Sequence, residues 1–360
     1  MRHTILPLLL SLTALTLPAC SSEPEAKIQA WEMVFDGDYL AKEVGIPGAL
    51  LSVWGSSEND IWMVGGAQEA SPTSAPTILN WDGTGWHRLI LPKVVGTLWW
   101  ITGGEKDVLW MAGTDGLVIR WSKLDQVFTR QTIPTKTQLW GIQAFSETDV
   151  WAVGGEAADC HDNLACGVIW HFDGSYWAAP KDLPAGWNTT AWFKVFARGP
   201  KDLFICGMNG HILHWDGSKW ADEVPVAADG SAIAPSKLLT GNCNGGLCVA
   251  VGGDASGVIV EHDGTKWTRK SVPGLDPLNG VFVNADGSAI SVGYSVWRRA
   301  TDGTWSNDVA APLATQQFHA VFVDPTGGAW AVGGDLFSFK TSQLAHIGTT
   351  AIPKPVPAGK

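Results

Sequence analysis

Charge is scarce in this chain. Only 16% of its 360 residues are charged, and the balance is acidic: 24 Lys+Arg against 35 Asp+Glu give a formal net charge of -11. No basic run appears, which excludes nucleic acid as a partner, because phosphate binding needs clustered Lys and Arg to replace counterions. Tyrosine is rarer still, with Tyr39, Tyr176 and Tyr294 alone. That is poor material for a sialidase-like hydrolase, which needs a tyrosine nucleophile with a carboxylate partner and an arginine cluster. The sequence also lacks a phosphate-cradling glycine loop, an HExxH and a nucleophile elbow. No catalytic residue, cofactor or metal is expected. Hydrophobic residues, at 45%, are plentiful enough to bury a large core.

Tryptophan (21) and glycine (42) are abundant, and both recur at intervals. The stretch LSVWGSSENDIWMVGG, from Leu51 to Gly66, returns in fragments six more times. Its marker glycine, Gly65, is followed by Gly113, Gly154, Gly207, Gly252, Gly293 and Gly333, at intervals of 48, 41, 53, 45, 41 and 40 residues. Such a period in strand-rich text predicts an all-β fold. The expectation is a seven-bladed β-propeller of four-stranded antiparallel blades, one blade per repeat.

Within each repeat the second strand carries a column equivalent to Trp62 and, two residues on, a column equivalent to Val64. Period-two spacing puts both on one face. The residues between them are mostly apolar too, as expected of a strand sandwiched between neighbouring blades. Cys206 falls in the Val64 column and reads as a buried, inert thiol. The third and fourth strands meet at Asp82-Gly83, Asp173-Gly174, Asp216-Gly217, Asp263-Gly264 and Asp302-Gly303, turns that need positive φ. A tryptophan follows each, at Trp86, Trp177, Trp220, Trp267 and Trp305, and these are expected to fill space between blades. The second repeat substitutes Ser122-Lys123-Leu124-Asp125 and Phe128. Asp60, Asp149 and Asp202 are expected to bind turn backbone, and His171, His214 and His262 to be surface or packing residues.

Residues 1–19 combine a basic start with an apolar run from Ile5 to Leu17, too short to span a membrane as a mature helix, and read as an export signal. Trp31 to Phe35 (WEMVF) is a lone strand ahead of the first repeat. The last repeat, from Phe318 to about Lys340, offers three strands and no Asp-Gly-Trp hairpin. A closed ring leaves no edge, so the N-terminal strand is expected to become the outer strand of the last blade. The propeller would then occupy residues 31–346, with a Pro-rich tail at 347–360.

The long variable segments are 67–76, 156–165, 179–190 and 224–236. All fall between second and third strands or between blades, hence on one face, and long loops on a rigid scaffold carry recognition. The candidate ligand-binding residues are Glu69, then Asp159, His161 and Asp162 of the insert DCHDNLAC, then Trp187 and Asn188. In an exported chain Cys160 is expected to pair with Cys166, and Cys243 with Cys248 across a hairpin. The insert offers too few ligands for a metal.

Leu17-Pro18-Ala19-Cys20 resembles the lipobox of bacterial lipoproteins. The resemblance implies cleavage before Cys20, its lipidation, and, with Ser21 next, the outer membrane. Residues 20–30 would be a lipidated tether, and the lipid would be the chain's contact with the membrane. The pattern W-G-x-x-x-x-D-[IV]-W-x-V-G-G, followed by W-D-G-x-x-W, is similar to secreted bacterial propeller lipoproteins. More distantly it is similar to kelch and Asp-box (BNR-type) repeats. It covers about Ala49 to Lys340, although repeats 2, 4 and 6 lack the second glycine and true Asp-boxes separate Asp from Gly. The resemblance implies a fold far more than a function. The expected function is that of a non-catalytic, lipid-anchored extracytoplasmic binding or scaffold propeller. It would act as a monomer that recognises a protein or envelope glycan through its long-loop face. The alternatives are a sialidase-like or other glycoside hydrolase on the same ring, and an envelope assembly scaffold.

Overall fold

A computed structural model describes residues 30–66, 75–105, 107–156, 160, 166–312 and 316–357. Among these, seven four-stranded antiparallel sheets form a ring, six of them running in chain order from an inner to an outer strand. The inner strands are Ala49–Ser57, Leu98–Gly103, Leu139–Ser146, Trp192–Gly199, Leu238–Asn244, Leu278–Val283 and Phe318–Val323, and each adjoins the next around the axis. No helix among the described residues is long and apolar enough to cross a membrane.

The seven marker glycines answer to a close backbone approach. A Cβ on Gly65 would lie 1.9 Å from Ala49 O, and one on Gly154 1.9 Å from Gln138 O. The other five would meet the same backbone oxygen at 2.1–2.2 Å, so no side chain fits where the second strand passes the start of the inner one. The Asp-Gly hairpins answer to φ instead. Gly83 sits at φ 87° and Gly217 at φ 88°, while Asp82 Oδ1 accepts the N–H of Thr84 and of Gly85, both at 2.8 Å. Asp216, Asp263, Asp173 and Asp302 hold their turns in the same way. The Ser218 hydroxyl, with the N–H groups of Lys219 and Ser218, pulls the Asp216 carboxyl down to about 2.

Each blade is two-faced, so the core is a set of wedges between blades. Trp110, Trp192, Trp267 and Trp330 are among the largest fully buried side chains, and truncating such a residue costs about 3–5 kcal/mol. The second-strand column meets a polar column on the third strand. Trp62 faces Asn80, Trp110 faces Arg120, Trp151 faces His171 and Trp330 faces His346.

The ring closes as expected: Glu32–Phe35 pairs with Ser342–Ile347 as the outer strand of the seventh blade. That third strand lies beyond Lys340, where the repeat pattern ends, because it carries no Asp-Gly-Trp hairpin to announce it. The residues after it wrap the first blade. Ile352 is buried in its core, and the Pro353 and Pro355 carbonyls accept the Trp86 indole N–H and the Tyr39 hydroxyl at 2.7 and 3.0 Å.

The acidic residues at the inner hairpins do not bind turn backbone. Asp60 accepts from Trp62 Nε1 (2.6 Å), Lys123 Nζ (2.6 Å) and Ser56 Oγ (2.5 Å). Asp149 takes Trp151 Nε1 and His171 Nε2 at 3.0 and 2.8 Å. Asp202 takes Arg198 and His214 at 2.9 Å each. Burial raises the Asp60 carboxyl, and the bonds from Lys123, Ser56 and Trp62 outweigh it, so its pKa ends below the usual range. These carboxylates hold the ends of the aromatic column.

Candidate functional site

Loops between second and third strands, and connectors between blades, leave the ring at one end. The inner and outer hairpins leave at the other: a Cβ on Gly83 of an outer hairpin would lie 2.4 Å from Asn59 of the inner one. The second strands of the first and third blades end at Gly66 and Gly155, and their third strands begin at Thr77 and Gly167, on the long-loop face. Glu69, Asp159, His161 and Asp162 lie outside the described residues, as does Cys20. The cysteine pairs Cys160–Cys166 and Cys243–Cys248 are bonded, at S–S 2.00 and 1.94 Å. Cys206 is the free cysteine among the described residues; burial pushes its thiol up to about 12.

Trp187 and Asn188 open a short 3-10 turn, Trp187–Thr189, in the connector from the third blade to the fourth. The Asn188 carbonyl accepts the Cys166 N–H at 2.7 Å, which joins this connector to the base of the disulfide loop. The half-buried Trp187 packs on the cluster around Trp192, and its carbonyl accepts the Trp192 indole N–H at 2.9 Å. Part of its ring surface is thus committed to the propeller. His171 and His214 stack on Trp151 and Phe204, with centroids 4.2 and 4.3 Å apart. His262 is buried between blades, 2.7 Å from Arg198 through Nδ1.

A second feature of this face escaped the repeat pattern. Every inner strand slips register near its start, at the same level. Leu50 pairs with Gly65 and Ser52 with Val64, leaving Leu51 without a partner. The corresponding bulged residues are Trp99, Trp140, Phe193, Leu239, Asn279 and His319. A bulge re-aims its residue, and here all seven line one cavity of about 170 Å³ at the mouth of the central channel. Three of the seven, Trp99, Trp140 and Phe193, form an aromatic arc. Trp99 packs at 4.4 Å on Trp140 and at 5.9 Å on Phe339, and Trp140 at 6.2 Å on Phe193. Leu51 and Leu239 are aliphatic, and the last two are polar and tied down: Asn279 donates to Gln317 Oε1 and Phe318 O, and His319 Nε2 donates to Gly334 O at 2.9 Å. Burial drives the His319 imidazole down to about 4.

The residue after each bulge faces the Val64 column. These are Ser52, Trp100, Gly141, Lys194, Thr240, Gly280 and Ala320. Lys194, in the fourth blade, is 4% exposed and lines the cavity. Its ammonium lies over the Trp100 ring, 2.9 Å from the centroid, and donates to Trp140 O at 3.3 Å. Burial holds its pKa well below the usual lysine range.

No family model and no curated protein matches this chain. Solved structures do. A catalytically inactive virginiamycin B lyase from Staphylococcus aureus, with quinupristin, is similar at TM-score 0.63 and 11% identity, over 89% of this chain and 100% of that one. YCF48 bound to D1 peptide is similar at TM-score 0.61 and 12% identity, over 89% and 97%. The WD40 propeller domain of Doa1 is similar at TM-score 0.63 and 11% identity, over 88% and 97%.

The fold is shared; the chemistry is not carried with it. One of these neighbours is a lyase and another holds a peptide. The bulge positions could have been found in the sequence. They lie 13 or 14 residues before each marker glycine, but only the register slip reveals that they form a ring.

Proposed function

We propose that this protein is a non-catalytic, exported binding propeller that is lipid-anchored at Cys20 and recognises a protein partner through its long-loop face. The observation that carries the reading is the distribution of exposed apolar side chains. Of the large apolar side chains exposed among the described residues, Ile90, Val95, Val224, Tyr294, Val309, Leu336 and Phe337 sit in loops or connectors of that face, Val309 and Phe337 at 91% and 94% exposure, against Leu124, Val127 and Tyr176 at the opposite hairpins and Val356 in the tail. Exposed apolar surface rimmed by polar residues is what protein partners cover. The glycoside-hydrolase alternative needs free arginines, whereas Arg298 is engaged by Asp308 beside its own blade and Arg299 by Glu261 of the fifth blade.

The test is affinity capture from solubilised envelope with the full-length protein, identifying bound proteins by mass spectrometry. Changing Phe337 and Val309 to Asp on the long-loop face is expected to remove the partner. Leu124→Asp on the opposite hairpins leaves it bound. Equal capture by both variants refutes the assignment of the face. A Cys20→Ser protein is expected in the soluble fraction, and one that still partitions with membranes rules out the anchor.

A further inference from the structure

Lys194 is an expensive residue to keep where it is. A buried ammonium without a counter-charge is strongly disfavoured. Among the described residues it has one hydrogen-bond acceptor, the Trp140 carbonyl, and the Trp100 face. No carboxylate acts on it. The equivalent positions in the other blades are uncharged, and Gly141 clears its path: a Cβ there would lie 3.0 Å from Lys194 Cα. The fold makes room for a cation at the base of an aromatic pocket and supplies nothing to neutralise it.

We propose that the channel mouth binds the carboxylate of one compact apolar or aromatic acid, with Lys194 as its counter-charge and Trp140 and Phe193 flanking its body. This deepens the binding role of the long-loop face and rests on that reading. The ligand class follows from three properties of the pocket. A single lysine matches a monoanion better than a phosphate, which draws several donors or an arginine fork. Aromatic walls favour a flat apolar body, oriented by a few polar groups such as Asn279 and His319. The cavity of about 170 Å³ is below the usual range for a drug-sized ligand, about 300–1,000 Å³, so it admits one ring-sized group. That group is either a small free acid or the last residue of a peptide with a free C-terminus.

Isothermal titration of the full-length protein with indole-3-propionate and with acetyl-Gly-Gly-Phe tests this, using indole-3-propionamide and the C-terminally amidated peptide as neutral controls. The acids are expected to bind and the amides to bind roughly tenfold or more weakly, the loss that follows removal of a charge-assisted contact. Lys194→Met is expected to remove acid binding while the protein stays folded by circular dichroism. Tighter binding of the peptide than of the free acid assigns the site to a partner's terminus, and the reverse assigns it to a small molecule. Equal affinity for acids and amides, undiminished binding to Lys194→Met, or no binding of any probe to the folded protein overturns the proposal. If no acid binds while the Phe337 and Val309 variant still loses its partner, the channel site fails and the binding face stands.

Discussion

The indole of Trp31 donates its N–H to Asp308 Oδ2 at 3.0 Å, across 277 residues of chain. Arg298 of the sixth blade pairs with the same carboxylate and lies over the Trp31 ring, its guanidinium carbon 5.8 Å from the centroid. The residue that leads into the N-terminal strand is thereby held by the sixth blade while that strand completes the seventh. Chain ends that meet in this way convert an open stack into a closed disc with no free sheet edge.

Closure gives the first prediction. Deleting residues 27–36 removes the outer strand of the seventh blade and is expected to abolish cooperative unfolding by circular dichroism. Trp31→Ala keeps the strand and loses a buried ring and its hydrogen bond, a cost of about 3–5 kcal/mol. A deletion protein that melts at the wild-type temperature removes the closure argument.

Lys194 gives the second, and its sign is unusual. Most substitutions of a buried residue destabilise. Here an apolar side chain of similar length removes a buried amine that the fold does not neutralise, so Lys194→Met is expected to gain about 1 kcal/mol or more, or about 1–2 °C in Tm for a chain this long. Urea unfolding monitored by tryptophan fluorescence measures it. A loss of stability means that Lys194 is a structural residue.

Acid gives the third. His319 is buried neutral, its pKa lowered from 6.5 to about 4 because burial penalises the charged ring. The unfolded chain therefore takes up a proton between those values that the folded chain refuses, and the stability from this residue falls as pH drops through that window. Up to about 3 kcal/mol is at stake. His346 acts in the same direction, while His211 and His214, whose pKa values are raised, act against it. The readout is consequently a difference. His319→Gln is expected to lose stability at pH 7, where its bond to Gly334 is altered, and to show a smaller further loss between pH 6.5 and 4 than the wild type. Parallel pH profiles for the two proteins contradict the assignment.

Much of the ring could be read in advance because local chemistry repeats at each blade. Asp-Gly turns, the tryptophans behind them and the marker glycines each answer to a constraint inside one sheet. The pairing of Cys243 with Cys248 is similarly local, since the two residues face each other across a hairpin. The third strand of the seventh blade was not legible because it lacks that hairpin. The partners of Asp60, Asp149 and Asp202 were misread because Lys123, His171 and His214 reach them from other strands or another blade.

The sequence by itself determined the architecture: seven copies of a strand quartet, each apolar on both sides, have no stable arrangement except against one another. What it did not determine is what those quartets surround. The channel mouth takes one residue from each blade, some 40 to 50 positions apart, and a register slip in each inner strand decides which residue that is. Only when the ring closes do Trp140, Phe193 and His319 face a common space, and only then does Lys194 become a buried charge. Proximity across a symmetry axis is a property of the closed disc, and no single repeat contains it.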